Sequence, residues 1–264
     1  KIVELCREAG IACTLADLAE RVFPLAALPN VSAEIQRRLA QQGVALRFGA
    51  VVTRAEESAR QVTTWFAQGE AVTSDLLVLC IGTRARTELA RAAGLEVDRG
   101  IVVDDSMQTS APGIYAAGDC CQGWEIMSGG HQIIGLWANA AYQGQTAGHC
   151  MAGDPVIFSG NILHNITHFM GMDFVGFGDV RTQGEVHRVG RPTDRRYIEA
   201  VVADGELRCV NLLDSYHISG VVKNYLMNRF SGNRAPLPTA LRGLLAREGF
   251  TDEFLSLFEG EAET

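Results

Sequence analysis

Two short motifs that often reveal a protein's chemistry are missing from this sequence. It contains no Gly-x-Gly-x-x-Gly turn, whose backbone N–H groups bind dinucleotide phosphates, and no Cys-x-x-Cys pair. The nearest match, Gly176-Phe177-Gly178, lacks the third glycine. The chain by itself therefore carries neither a complete dinucleotide-binding turn nor a Cys-x-x-Cys redox centre.

An excess of positive charge and long hydrophobic runs are missing as well. The formal net charge is -8, which argues against nucleic acid or an anionic membrane as the main partner. The most apolar run, residues 76–82, is far shorter than the roughly 18 to 20 residues of a membrane span. Seven scattered cysteines predict reduced thiols and a cytoplasmic protein.

What the sequence does contain is ample apolar material in an α/β order. With 47% hydrophobic and 20% charged residues, it can bury a sizeable core. The pattern predicts a helix over 1–9, a strand over 11–16, a helix capped by Asn30 or Ser32, and a strand over 44–48. This order is typical of a parallel α/β unit.

The character of the predicted elements changes further along the chain. Short antiparallel strands are expected between residues 50 and 73, a strand buried on both faces over 75–82, a loop over 122–135 and a helix over 136–151. A β-hairpin is expected around Asp204-Gly205, which suits a tight turn. Three helices are predicted after it, over residues 215–229, 236–247 and 252–259.

The segment 109–120, TSAPGIYAAGDC, is the most informative motif. A strand that ends in Gly118 lets a ligand approach the backbone, and Asp119 then lies at the strand's carboxyl end, where α/β folds bind ligands. The string resembles the second flavin motif of the pyridine nucleotide-disulfide oxidoreductase superfamily. The alternative, an ordinary turn after a strand, accounts for Gly-Asp but not for the whole string.

The resemblance implies flavin-binding roles for several residues. In that superfamily the aspartate that matches Asp119 binds the ribityl chain of FAD. The helix entered through Ile133 and Ile134 directs its N–H groups at the flavin pyrimidine ring, although simple packing is the alternative for this helix. Gly82 matches the glycine that ends an apolar strand before the chain re-enters the FAD domain, and Phe169 is placed beside the isoalloxazine.

Asp17 matches an acid that binds the adenosine ribose of NAD in the same superfamily. Leu18 follows it and no arginine stands beside it. The resemblance therefore favours NADH over NADPH, because a carboxylate repels a 2′-phosphate. The alternative is an aspartate that caps the loop after its strand.

The resemblance also predicts the fold class and the domains. It implies an α/β fold with an incomplete pair of Rossmann-like dinucleotide-binding domains and a small α+β domain at the carboxyl end. We expect the second part of the NAD(P)-binding domain at 1–83, the second part of the FAD-binding domain at 84–158 and an interface domain at 159–264. Through residues 161–171 and 197–226, the last part is similar to the NADH:rubredoxin and nitrite reductase flavoprotein branch. Because both Gly-rich turns are missing and the chain opens on Lys1 within a helix, we expect a fragment of a longer family member.

These implications define the predicted function. The parent protein is expected to pass hydride from NADH to FAD and electrons on to a protein or small-molecule acceptor, and to form a homo-oligomer. Two alternatives stay open: a disulfide or coenzyme A-disulfide reductase with its redox cysteine upstream, and a folded fragment without activity. Cys120-Cys121 is interpreted as one buried and one loop thiol. No metal site is predicted, and the histidines interpreted as structural are His131, His164, His168 and His217.

We predict that the 264-residue chain by itself binds no FAD and has negligible NADH oxidase activity. FAD affinity in this fold depends on its pyrophosphate, which needs the N–H groups of a Gly-rich turn at a helix amino end. An absorbance spectrum across the flavin bands, with a mass determination of the same sample, tests this. A yellow protein that has the mass of this chain and stoichiometric FAD would overturn the prediction. A yellow protein of larger mass would show that the polypeptide is longer.

Overall fold

The computed structural model describes residues 1–233 and 235–259, and these divide into two units. The first unit combines residues 1–81 and 164–219 with the described residues from 243 onward. The second unit combines residues 82–163 with 220–242. The domain boundaries expected from the sequence, at 83 and 158, stay predictions.

Helices and strands alternate in the first part of the chain, and strands dominate between residues 164 and 213. The helices are α1 (Ile2–Glu8), α2 (Pro29–Gln41), α3 (Glu88–Ala92), α4 (Trp137–Met151), α5 (Ser219–Phe230), α6 (Thr239–Arg247) and α7 (Asp252–Glu259), with a 3-10 turn at Tyr216–Ile218. The strands are β1 (Thr14–Ala16), β2 (Ala45–Arg47), β3 (Val52–Glu57), β4 (Val62–Phe66), β5 (Ala71–Ser74), β6 (Ile101–Val102), β7 (Cys121–Glu125), β8 (Gly130–Gln132), β9 (His164–Phe169), β10 (Met172–Gly178), β11 (Glu185–Val189), β12 (Tyr197–Ala203) and β13 (Glu206–Leu213). None of the described helices is both long and apolar enough to cross a membrane.

In the first unit, β1 and β2 form a parallel pair connected through α2. This is the parallel α/β unit that the sequence predicts. Strands β3, β4 and β5 follow as an antiparallel sheet, also as expected. The cap of α2 differs from the prediction, because Pro29 begins the helix and Leu28 precedes it. Ser32 is instead buried, and its hydroxyl donates to the Val22 carbonyl at 2.7 Å.

The largest sheet of the first unit has five antiparallel strands in the order β11-β12-β13-β10-β9. The predicted hairpin is present as β12 and β13, and its turn residues Asp204 and Gly205 have φ values of +54° and +69°. The hairpin of β9 and β10 turns at Met170-Gly171 with similar values, +52° and +70°. This second hairpin was not predicted from the sequence.

Helix α2 packs on the five-stranded sheet and completes the core of the first unit. The cluster that they share contains Ala27, Val31, Ile35, Leu39, Val44, Phe169, Met170, Met172, Phe174, Tyr197 and Leu213. Helix α2 also carries an ion-pair group around the buried Glu34, which accepts hydrogen bonds from Arg37 and Arg38, and Arg38 also pairs with Asp214. Burial by itself raises the pKa of Glu34, but these two arginines lower it below its ordinary value.

In the second unit, β6 lies parallel to β7, and β7 and β8 form a hairpin. The expected loop over 122–135 is therefore wrong, because Gly123 to Gln132 pair across this hairpin. Helix α4 occupies the range that the sequence predicts for it. The unit's core combines α4 with the strands, through Val103, Met107, Cys121, Ala147 and Phe158.

The prediction of a fully buried strand over 75–82 is also wrong. These residues have no regular structure, and Ile81 is 90% exposed. A central strand needs neighbours that satisfy its backbone and cover both faces, and the described residues pair no strand with this segment. The predicted α/β fold class is confirmed, because the described residues combine helices with the parallel pairs β1–β2 and β6–β7 and with antiparallel sheets.

Candidate functional site

The Gly118-Asp119 turn lies in the second unit, directly before β7. The strand expected to end in Gly118 is absent, since residues 113–118 form none of the strands of the described part of the chain. Gly118 is buried and has a φ of +84°, a conformation that glycine adopts without strain. A Cβ at this position would lie 3.4 Å from the Cβ of Ala140 on α4. Asp119 is exposed, so the turn presents a carboxylate to solvent from a buried backbone.

The segment that leads into α4 lies beside this carboxylate. Ile134 is buried, Ile133 is half-buried and Gly135 is exposed. A Cβ built on Gly135 would be 3.9 Å from both carboxylate oxygens of Asp119. The chain thus brings Gly118, Asp119, Ile133 and Ile134 together in one unit, with glycines where the two segments pass each other.

The amino end of α4 has no side-chain cap. Its N-cap residue is Leu136, and no side-chain hydrogen bond caps the first turn. Unpaired N–H groups and the helix dipole make such an end favourable for a negatively charged or hydrogen-bond-accepting group. An acceptor atom at the helix end and hydroxyl groups near Asp119 are therefore the ligand chemistry that this site fits.

Asp17 follows β1 in the first unit, at the carboxyl end of the parallel pair. One oxygen, Oδ1, accepts the N–H of Ala19 at 2.9 Å, which is the loop-capping role considered above. The backbone N–H of Asp17 donates to the Arg47 carbonyl at 2.9 Å. The side chain is exposed, so loop capping and contact with a ribose are compatible.

Gly82 and Phe169 are the two remaining site candidates from the sequence. Gly82 is exposed with a φ of +93°, and a Cβ on it would meet no atom within 4 Å. Phe169 is 8% exposed and packs edge-on against Phe23, with ring centroids 5.7 Å apart. This packing gives Phe169 a role in the core, and its contact with a flavin stays a prediction.

Two buried amides on α4 were not singled out by the sequence reasoning. Gln143 accepts the N–H of Gly118 at 2.8 Å, and Asn139 donates to the carbonyl of Ile134 at 3.1 Å. Both side chains have no exposed surface. The signal that points to them is a pair of amides four residues apart, and thus on one face, in a helix rich in alanine and glycine.

The cysteines near the turn are thiols that contact nearby backbone carbonyls, and the Cys121 thiol also contacts the Gln143 side-chain oxygen at 3.5 Å. The sulfur of Cys120 lies 3.4 Å from the Ala117 carbonyl oxygen, and that of Cys121 lies 3.4 Å from the Gly118 carbonyl oxygen. Burial, with Cys120 beside it, raises the pKa of Cys121 to about 12. A thiol with such a pKa is a poor nucleophile at neutral pH. All seven cysteines are free, and the described residues contain no group of three or more potential metal ligands.

Comparison with known proteins identifies the family. The model of the pyridine nucleotide-disulphide oxidoreductase family matches residues 3–144, more than half of the chain. This chain therefore belongs to the pyridine nucleotide-disulphide oxidoreductases, as the flavin motif predicts.

Individual relatives match parts of the chain. The "Nitric oxide reductase FlRd-NAD(+) reductase" of Aeromonas salmonicida (strain A449) is 44% identical over 136 residues, covering 50% of this chain and 34% of that protein. The "NADH-dependent phenylglyoxylate dehydrogenase subunit epsilon" of Aromatoleum evansii is 28% identical over 228 residues, covering 84% and 54%. The chain spans about a third of the length of the FlRd-NAD(+) reductases that it matches.

A solved structure shares the fold over nearly the whole chain. It is an FAD-dependent pyridine nucleotide-disulphide oxidoreductase from Desulfovibrio vulgaris, with a TM-score of 0.78 and 23% sequence identity. The match covers 97% of this chain and 66% of that one. At this identity the likeness concerns the fold alone.

The buried thiols yield a prediction for cysteine reactivity. We expect iodoacetamide at pH 8 to alkylate the exposed Cys80 quickly and to leave Cys121 and Cys209 unmodified in the folded protein. Burial raises the pKa of each of these two thiols to about 12, and only the thiolate reacts. Peptide mapping by mass spectrometry measures the labelling, and the same reaction in denaturant is the control. Fast labelling of Cys121 in the folded protein would contradict the assignment.

Proposed function

We propose that this chain is part of an FAD-dependent NADH:acceptor oxidoreductase. The observation that carries the proposal is the exposed carboxylate of Asp119, held on a buried glycine turn beside the uncapped amino end of α4. A carboxylate accepts hydrogen bonds from sugar-chain hydroxyls, and a helix amino end favours negative charge. Both groups fit the ribityl and pyrimidine end of a flavin.

The fit extends to one end of the cofactor. Gly135 leaves space where its backbone passes the Asp119 carboxylate, since a Cβ there would lie 3.9 Å from both carboxylate oxygens. For the pyrophosphate end, the sequence contains no Gly-x-Gly-x-x-Gly turn. In this proposal the chain supplies the ribityl and ring contacts, and other residues of the full-length protein supply the phosphate contacts.

FAD, when bound, supplies hydride acceptance from the nicotinamide and release of electrons to an acceptor. The part played by this chain is to bind and to orient. Asp119 holds the ribityl chain through charge-assisted hydrogen bonds. The N–H groups of Ile133 and Ile134, with the dipole of α4, favour negative charge at the pyrimidine edge of the ring. Contacts of Gly82 and of Phe169 with a flavin stay separate predictions that rest on the family resemblance.

On the nicotinamide side, Asp17 is proposed to bind the adenosine ribose of NADH. Its position after β1, at the carboxyl end of a parallel pair, is where α/β sheets bind dinucleotides. Names among the relatives support NADH, since they include an FlRd-NAD(+) reductase and an NADH-dependent dehydrogenase subunit.

The acceptor is proposed to be a protein electron carrier. The supporting observation is that relatives carry the names FlRd-NAD(+) reductase and ferredoxin--NAD(+) reductase component. A homo-oligomer and a cytoplasmic location belong to the same proposal, the latter supported by seven free cysteines.

The alternative of a disulfide or coenzyme A-disulfide reductase requires a reactive cysteine. Within this chain Cys121 does not meet that need, because burial raises its pKa to about 12. In this alternative the redox cysteine lies upstream of this chain. A folded fragment without activity is the other alternative, and the assays below separate it from the proposal.

The flavin site is tested by Asp119→Ala in the full-length protein that contains this chain. Loss of a charge-assisted hydrogen bond costs about 1.5 to 3 kcal/mol, so FAD should bind roughly ten- to a hundredfold more weakly. Fluorescence titration of the apoprotein with FAD measures the change. Asp105→Ala, which removes an exposed carboxylate from the same unit, is the matched control. Unchanged FAD affinity in Asp119→Ala would show that this residue does not bind the flavin.

The nicotinamide preference is tested by steady-state kinetics of the same protein. We expect a higher kcat/KM for NADH than for NADPH, because the carboxylate of Asp17 repels a 2′-phosphate. Asp17→Arg should shift the preference towards NADPH. Asp75→Arg makes the same charge change at another exposed position of the first unit and should leave the ratio unchanged. A wild-type preference for NADPH would refute the role given to Asp17.

A further inference from the structure

We infer that Gln143 is a positioning residue for the flavin site: its side-chain oxygen holds the Gly118 turn and so orients the Asp119 carboxylate. The inference rests on the proposed function, because it concerns the site assigned there to the ribityl chain. Gln143 is the residue that accepts the Gly118 N–H, at 2.8 Å, from 25 positions further along the chain.

The backbone of the turn is held by hydrogen bonds on both sides of Gly118. Gly118 has a positive φ of +84°, and the peptide that follows it carries Asp119. Glycine has more conformational freedom than any other residue, so the direction in which the chain leaves this turn depends on the hydrogen bonds of the Gly118 backbone. The Gly118 carbonyl accepts the N–H of Cys121 at 3.1 Å, and the Gly118 N–H is bound by Gln143. Both backbone groups of the residue before Asp119 are therefore held.

A second amide, Asn139, lies on the same face of α4 as Gln143. Asn139 lies one turn before Gln143 on α4, and it binds the Ile134 carbonyl at 3.1 Å. Asn161 in turn donates to the Asn139 side-chain oxygen at 3.1 Å. Residues four apart share a helix face, so one rigid element holds both the turn of Asp119 and the segment of Ile134. The distance between the two flavin-binding groups is thus set by α4.

The side-chain nitrogen of Gln143 is energetically unfavourable where it lies. The Nε2 of Gln143 is buried and has no hydrogen-bond partner. A Cβ at Gly123 would lie 2.4 Å from that nitrogen, so the glycine leaves the space that the amide occupies. An unsatisfied buried donor is unfavourable, and an apolar side chain of the same size avoids it. The amide is therefore explained by what its oxygen accepts, the Gly118 N–H at 2.8 Å and, at 3.5 Å, the thiol of Cys121 in the same turn.

The experiment compares three variants of the full-length protein by FAD titration and by the visible flavin spectrum. Gln143→Met removes the acceptor at nearly constant volume, and FAD should bind roughly three- to tenfold more weakly, with a shifted spectrum. Gln143→Glu retains an oxygen for Gly118 and should bind FAD more tightly than Gln143→Met. Thr146→Val is the matched control, since it alters a buried polar residue of α4 that contacts the Tyr142 carbonyl and not the turn.

Three results for these variants would contradict the role of Gln143. Wild-type affinity and spectrum in Gln143→Met, an equal loss in Thr146→Val, or no recovery in Gln143→Glu would overturn the inference. If Gln143→Met does not fold, Gly123→Ala takes its place, because the new Cβ must displace the amide; unchanged FAD affinity there would overturn the inference as well. Failure of the proposed function is distinguished by Asp119→Ala: unchanged FAD affinity in that variant removes the flavin site itself, and the inference with it.

Discussion

Asn211 on β13 connects two segments of the first unit that are 185 residues apart in sequence. Its amide donates to the Ala26 carbonyl at 3.0 Å and accepts the Leu28 N–H at 2.6 Å, so it satisfies the backbone where α2 begins. The approach is so close that a Cβ at Gly176 would lie 2.6 Å from the Ala26 oxygen. These hydrogen bonds hold the start of α2 against the five-stranded sheet. The core that the helix and the sheet share depends on that position.

The second unit relies on the same kind of interaction at its site. Buried amides of α4 hold backbone groups from the Gly118 turn and from the approach to the helix. In both units, a side-chain amide takes the place of the regular pairing that a helix or sheet would provide. Such contacts satisfy buried polar groups and fix irregular segments at one position. The proposed flavin contacts of Asp119 and Ile134 both lie on segments held in this way.

Local patterns predicted the elements that are stabilised locally. The hairpin at Asp204-Gly205 forms because these residues adopt the positive φ values of a tight turn, and α4 forms over the predicted range. The hairpin of β7 and β8 was missed because its glycines, among them Gly123 and Gly130, are typical of a loop. At Gly123 the reason for glycine is not a turn but the neighbouring Gln143 amide.

The sequence by itself determined the family, through residues 109–120. It also identified Asp119 and Asp17 as candidate cofactor-binding residues, because a contiguous motif can be recognised before the fold is known. Only the tertiary structure decided which side chain holds the turn before Asp119, since Gln143 and Gly118 are 25 residues apart and no local spacing relates them. It also decided the state of residues 75–82. Their apolar composition indicates a buried strand, but burial requires neighbouring strands, and those are a property of the assembled sheet rather than of the segment.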